Sequence, residues 1–162
     1  MYPPTMTQGY TTLSKIAFYV NTNYHTNDIT VNIYQGENPI TGTLQGTQTV
    51  TPATTSGMME VTLDAPLTID PTQNLWITLT TTGTYVKTAC SVTEPNDRWV
   101  LNDGAWVDVA TLNENLAGYG WMIRGYVEDY DSDLYTWNSE TGIEPPYTIE
   151  NLNAETTYIV KV

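Results

Sequence analysis

Ser14-Lys15-Ile16-Ala17-Phe18-Tyr19-Val20, followed by Asp28-Ile29-Thr30-Val31-Asn32-Ile33-Tyr34, is the stretch that decides the fold class. Every second residue is apolar: Ile16, Phe18 and Val20 in the first segment, Ile29, Val31 and Ile33 in the second. A period of two places such side chains on one face of an extended strand. The intervening Asn21-Thr22-Asn23-Tyr24-His25-Thr26-Asn27 is polar and rich in turn formers, which predicts a connecting loop.

The same period recurs along the chain. Met59, Val61 and Leu63 predict a third strand, closed by Asp64-Ala65-Pro66. Leu75, Ile77 and Leu79 predict a fourth, with Trp76 on its opposite face. Arg98–Leu101 and Ala105–Val109 flank Asn102-Asp103-Gly104, and Asp-Gly between two such segments signals a tight hairpin. Trp121 to Val127 predicts a further strand, with Trp121, Ile123 and Val127 on one face. The one helical candidate, Ala110–Leu116, is short and is followed by Gly118. Threonine is abundant in the strand-like segments, and β-branched side chains favour the pleated conformation. Short, half-buried strands separated by turns predict an all-β fold, an antiparallel two-sheet β-sandwich over residues 1–128.

With 162 residues, 40% of them hydrophobic, the chain has material for one core and part of a second unit. Its aromatics are 5 Trp, 12 Tyr and a single Phe, a balance that favours half-wet surfaces over deep cores. The formal net charge is −13, with only 5 Lys and Arg together. Such a surface repels phosphate backbones and anionic membranes, which excludes nucleic acid as a partner. Neutral glycans, cations and basic protein surfaces remain, and the acidity also serves solubility. Cys90 is the only cysteine, so no disulfide forms within the chain. No apolar run reaches membrane-spanning length, so no membrane insertion is expected. Met1-Tyr2-Pro3-Pro4 lacks the basic start and apolar stretch of a signal peptide. The chain reads as a piece of a larger exported protein, with neighbouring domains of that parent as further partners.

An acidic joint, Glu128-Asp129-Tyr130-Asp131-Ser132-Asp133, marks a change of composition. Beyond it, Tyr135–Asn138, Pro145–Ile149 and Thr157–Val162 predict three more strands, making 129–162 a second, smaller unit.

Two stretches resemble known families. Thr12 to Val20, followed by Ile29 to Gly36, with Asn74-Leu75-Trp76-Ile77 and Gly120 to Val127 after them, is similar to the jelly-roll modules of secreted and surface Bacteroidetes proteins. These modules include the cleaved-adhesin domains of secreted proteases. Pro146 to Val162 resembles the later strands of a fibronectin type III domain, and Leu152 to Tyr158 matches its tyrosine corner. The earlier strands of that second fold, with their tryptophan, are missing. The resemblance implies a jelly-roll-like sandwich with a short fibronectin-like β tail, in a bacterial protein that is secreted or sits on the cell surface. It implies adhesion or glycan binding, and leaves the ligand open because one sandwich serves many functions.

Catalytic chemistry is sparse. His25 lies in a polar loop with no nucleophile motif beside it, and Cys90 has no basic neighbour to activate it. Paired carboxylates could serve a glycoside hydrolase, but most acids here fall in turns and at strand ends. Binding chemistry is richer. A sugar ring presents an apolar face and a rim of hydroxyls, and is caught by an aromatic plane with amides and carboxylates alongside. Asn96-Asp97-Arg98-Trp99 and Asp103-Gly104-Ala105-Trp106 bring those types together. Trp99 and Trp106 are expected on one face of the hairpin, with Asn96, Asp97 and Asp103 bonding hydroxyls and Trp76 and Tyr85 as further stacking candidates. The same tryptophans equally suit a sheet cover, which would make the chain a structural spacer or a module docking a host or cell-surface protein. Asp129, Asp131, Asp133 and Glu140 fall at positions 1, 3, 5 and 12 of a calcium-loop pattern. Leu134 stands where that loop needs glycine, so an acidic joint is the competing reading and calcium would be structural at most. No other cofactor is expected.

Overall fold

The computed structural model describes residues 1–21, 27–52, 55–81, 90–92 and 98–130, with backbone alone for 90–92 and 129–130. The alternating segments form two neighbouring elements, β1 (Tyr10–Val20) and β2 (Ile29–Gln35). Each becomes the centre of a three-stranded antiparallel sheet. β1 lies between β4 (Gly57–Thr68) and β10 (Ile123–Tyr130). β2 lies between β3 (Thr43–Val50) and β5 (Leu75–Thr81). A short helix, α1 (Pro4–Thr7), precedes β1.

The inward residues of both sheets meet in one core. Leu13, Ile16, Phe18 and Val20 of β1 and Val61 and Leu63 of β4 pack with Ile29, Val31 and Ile33 of β2 and Leu75 and Ile77 of β5. Phe18 is fully buried, and burial of one such side chain stabilises the fold by about 1.5–3 kcal/mol. Two glycines show how closely the sheets approach. A Cβ added at Gly125 of β10 would meet Leu13 and Ile77 side chains at 3.2 Å, and one at Gly46 of β3 would meet Leu67 of β4 at 2.8 Å. The expected all-β antiparallel sandwich is therefore the fold.

Both lateral edges are clasped. On one, Gln48 of β3 donates to the Thr62 carbonyl at 3.2 Å and accepts from the Asp64 N–H at 3.0 Å, joining β3 to β4. On the other, Tyr2 pairs its backbone with Leu75 and donates its hydroxyl to the Ile123 carbonyl at 2.7 Å, joining β5 to β10. Unpaired strand edges invite association, and side chains that cross them blunt that tendency.

Four elements differ from the sequence expectations. β3 was not expected, because Thr43–Val50 has no apolar alternation; it is an edge strand, and its outward residues face solvent. β4 does not stop at Asp64-Ala65-Pro66. Leu13 pairs with Leu67 and Lys15 with Thr62, so residues 63–66 form a bulge that accommodates the proline and the strand resumes to Thr68. Trp121 does not share the face of Ile123 and Val127. It ends β9 (Tyr119–Trp121), which pairs with β6 (Cys90–Val92), and the ladder breaks at Met122 before β10 begins. The pairing of β10 also runs two residues past the expected boundary at 128, to Tyr130 opposite Tyr10. The loop around His25, Tyr24 included, and the fibronectin-like segment lie outside the described residues. Among the described residues no helix is long and apolar enough to cross a membrane.

Candidate functional site

The outward residues of the β3-β2-β5 sheet are fixed by the same alternation that fills the core. Since Val31 and Ile33 point inward, Asn32 and Tyr34 point outward; since Leu75 and Ile77 point inward, so does Trp76 point outward. Cross-strand register then sets three outward rows. Thr30 stands beside Thr49 and Thr80, Asn32 beside Thr47 and Thr78, and Tyr34 beside Leu44 and Trp76.

Trp76 is on the outer face, yet it is only 3% exposed. Its cover is the hairpin of β7 (Trp99–Asn102) and β8 (Ala105–Asp108). Asp103 and Gly104, with φ of 49° and 81°, make the turn, as a tight hairpin with two left-handed central residues requires. Leu101 stands opposite Trp106, and Trp99 lies two residues before Leu101, so Trp99 and Trp106 share a face. That face descends on Trp76. The Trp99 ring meets Trp76 edge-on at 5.5 Å between centroids, and the Trp106 ring meets it tilted at 5.9 Å. These are favourable aromatic geometries. Trp76 also donates from Nε1 to the Gly36 carbonyl at 3.3 Å.

The base of the hairpin is bolted down by polar groups. Arg98 bonds Asp108 at 2.7 Å and also donates to the Ala117 carbonyl. Asp108 in turn caps α2 (Val109–Leu112), accepting from the Ala110 N–H at 2.8 Å. A 3₁₀ turn, Glu114–Leu116, follows. The expected helical segment Ala110–Leu116 is thus two short turns. Trp121 donates from Nε1 to the Trp99 carbonyl at 2.8 Å, fixing the strand that carries the indole.

The sequence-based candidates therefore fall into three groups. Trp76, Trp99 and Trp106 come together, with Trp76 as the buried floor and Trp99 and Trp106 half-buried above it. As the floor, Trp76 has no free ring face for a ligand to stack on. Asp103 is exposed at the hairpin tip, beside Leu101, which is 53% exposed. Asn96, Asp97 and Tyr85 lie outside the described residues. So do Asp131, Asp133 and Glu140, while Asp129 lies within the β10 strand. Among the described residues no group of three or more His, Cys, Asp or Glu side chains is placed to hold a metal ion. The buried Nε1–H of Trp99 has no acceptor among the described residues, which leaves one polar group of the cluster uncommitted.

Sequence reasoning did not single out Arg98, Asp108 and Trp121 as the supports of this cluster. The hairpin register was readable, but the bonds to Ala117 and from Trp121 depend on how the chain returns after α2.

The opposite outer face, on the β10-β1-β4 sheet, is ionic. Lys15 bonds Glu60 at 2.8 Å and lies 4.1 Å over the Tyr126 ring, while Tyr126 donates to Glu60 at 3.0 Å. Hydrogen bonds from Lys15 and Tyr126 hold the Glu60 carboxyl below its ordinary pKa, and the bond to Glu60 raises that of Lys15.

No protein-family model matches this chain, and neither a curated protein nor a solved structure matches it.

Proposed function

We propose that this chain is a non-catalytic binding module that takes a neutral glycan against Trp99 and Trp106, serving adhesion or carbohydrate capture in an exported bacterial protein. The observation that supports this most is the pair of half-buried indoles braced on the buried Trp76. A ring held by neighbours loses little conformational freedom when a sugar stacks on it, so more of the contact energy reaches affinity. Asp103, at the tip of the same hairpin, is a hydroxyl acceptor. The jelly-roll resemblance of residues 12–127 points the same way, and so does the scarcity of basic side chains, which disfavours anionic ligands.

A second reading has an observation of its own. Trp76 is buried by the hairpin, so the three indoles also suffice as a joint that fixes the hairpin to the sheet. In that reading the chain is a spacer or a protein-docking domain without a small ligand.

Trp106→Ala separates the two. Affinity electrophoresis through gels containing glucan, xylan, mannan or galactan should retard the wild-type chain in at least one, and the variant should bind roughly tenfold more weakly or worse. Equal retardation of both proteins, or none for the wild type, would leave the spacer reading in possession.

A further inference from the structure

The two outer faces of the sandwich differ in charge. One carries Lys15, Glu60, Arg124 and Glu128. The other, on the β3-β2-β5 sheet, carries only uncharged side chains in its three rows, although the whole chain has a formal charge of −13. Cover accounts for this at the buried Trp76 and Thr78, but Leu44, Thr47, Thr49 and Thr80 are exposed and carry no acid either, as suits a ligand without charge.

The chemistry of the rows suits such a ligand. Thr47 donates to Asn32 Oδ1 at 2.8 Å, and the Thr30 and Thr49 hydroxyls bond each other at 3.3 Å. These bonds orient the groups and leave capacity over. The Asn32 Nδ2 amide donates to no partner among the described residues, and hydroxyls can donate and accept at once. Thr47 and Thr49 are exposed, Asn32 and Tyr34 half-buried. Tyr34 stands beside Trp76, which the hairpin covers, and Thr78 is buried too, so the open part of the rows on β2 and β3 borders the indole cluster. Successive outward residues of one strand are about 6.8 Å apart, so an extended chain running along β2 meets a new row of hydrogen-bonding groups at each step of two residues.

We propose that this face is the track of the site: a linear, uncharged, hydroxyl-rich polysaccharide lies over Tyr34, Asn32 and Thr47, with one end stacked on Trp106. The inference rests on the glycan reading above and adds the length and direction of the ligand. Its test uses the neutral polysaccharide that retards the wild-type chain, cut into an oligosaccharide length series and titrated by calorimetry. Wild-type affinity should rise with length. A double variant, Asn32→Ala with Thr47→Val, should match the wild type on the shortest oligosaccharide that binds and fall roughly tenfold behind on long ones, about the worth of a hydrogen bond or two. Thr49→Val, on the exposed edge strand, is the second variant and should lose part of the same increment without lowering the melting temperature. Long oligosaccharides bound equally by wild type and variants would overturn the track while leaving the hairpin site standing. An equal loss at every length would also overturn it. A wild-type chain that binds no neutral polysaccharide would remove both proposals.

Discussion

Trp76 is the residue on which the cluster turns. Its neighbours Leu75 and Ile77 fill the core, and from the sheet side it meets both hairpin indoles. Trp76→Ala should therefore destabilise the chain by about 3–5 kcal/mol, as large-to-small substitutions of buried aromatics do, measured by denaturant unfolding. A loss below about 1 kcal/mol would mean that the hairpin is held mainly by the Arg98 and Asp108 bonds. Glu60 carries a different expectation, set by protons. Its folded pKa lies below the ordinary 4.5, so its contribution is present above that value and is lost as pH falls through the depressed one. The folded pKa of Lys15 lies above 10.5, so its contribution is present below that value and is lost as pH rises through the raised one. The stability difference between wild type and Glu60→Gln should thus be flat at neutral pH and close at both extremes. A difference that grows on acidification would contradict the assigned hydrogen bonds.

At the scale of elements, the hairpin depends on its turn. Asp103 and Gly104 both sit in the left-handed region, which costs a residue with a Cβ roughly 1 kcal/mol or more. Nothing lies within 4 Å of a Cβ added at Gly104, so Gly104→Ala tests backbone strain without a clash. It should lower stability by about 1 kcal/mol and loosen the amides of β7 and β8 in hydrogen exchange, while β1 and β2 stay protected. This turn was legible in the sequence because Asp-Gly has a local physical signature. So were the central strands, since Ile16, Phe18, Val20, Ile29, Val31 and Ile33 alternate and are all buried. β3 was illegible because two of its core-facing positions are Gly46, where Leu67 comes close, and Gln48, which clasps β4, leaving Val50 as the apolar one. The bulge in β4 hid behind Pro66, which reads locally as a stop. The phase of Trp121 failed at Met122, where the ladder changes partner. The burial of Trp76 was illegible for a further reason: its cover arrives from residues 99 and 106, and no local pattern encodes that encounter.

At the scale of the whole molecule, a sandwich clasped at both edges presents one ionic and one neutral face, with an indole wall at the end of the neutral one. Rigidity of that wall is what separates a binding surface from an ordinary sheet cover, and solvent reaches the two differently. Collisional quenching of tryptophan fluorescence by acrylamide and iodide, with and without the neutral polysaccharide that retards the chain, tests this most directly. We expect a quenchable contribution from Trp106 in the free protein, reduced in Trp106→Ala and shielded in the wild type once polysaccharide is added. Quenching unchanged by saturating polysaccharide, or a wild type as resistant to quenching as Trp106→Ala, would contradict it.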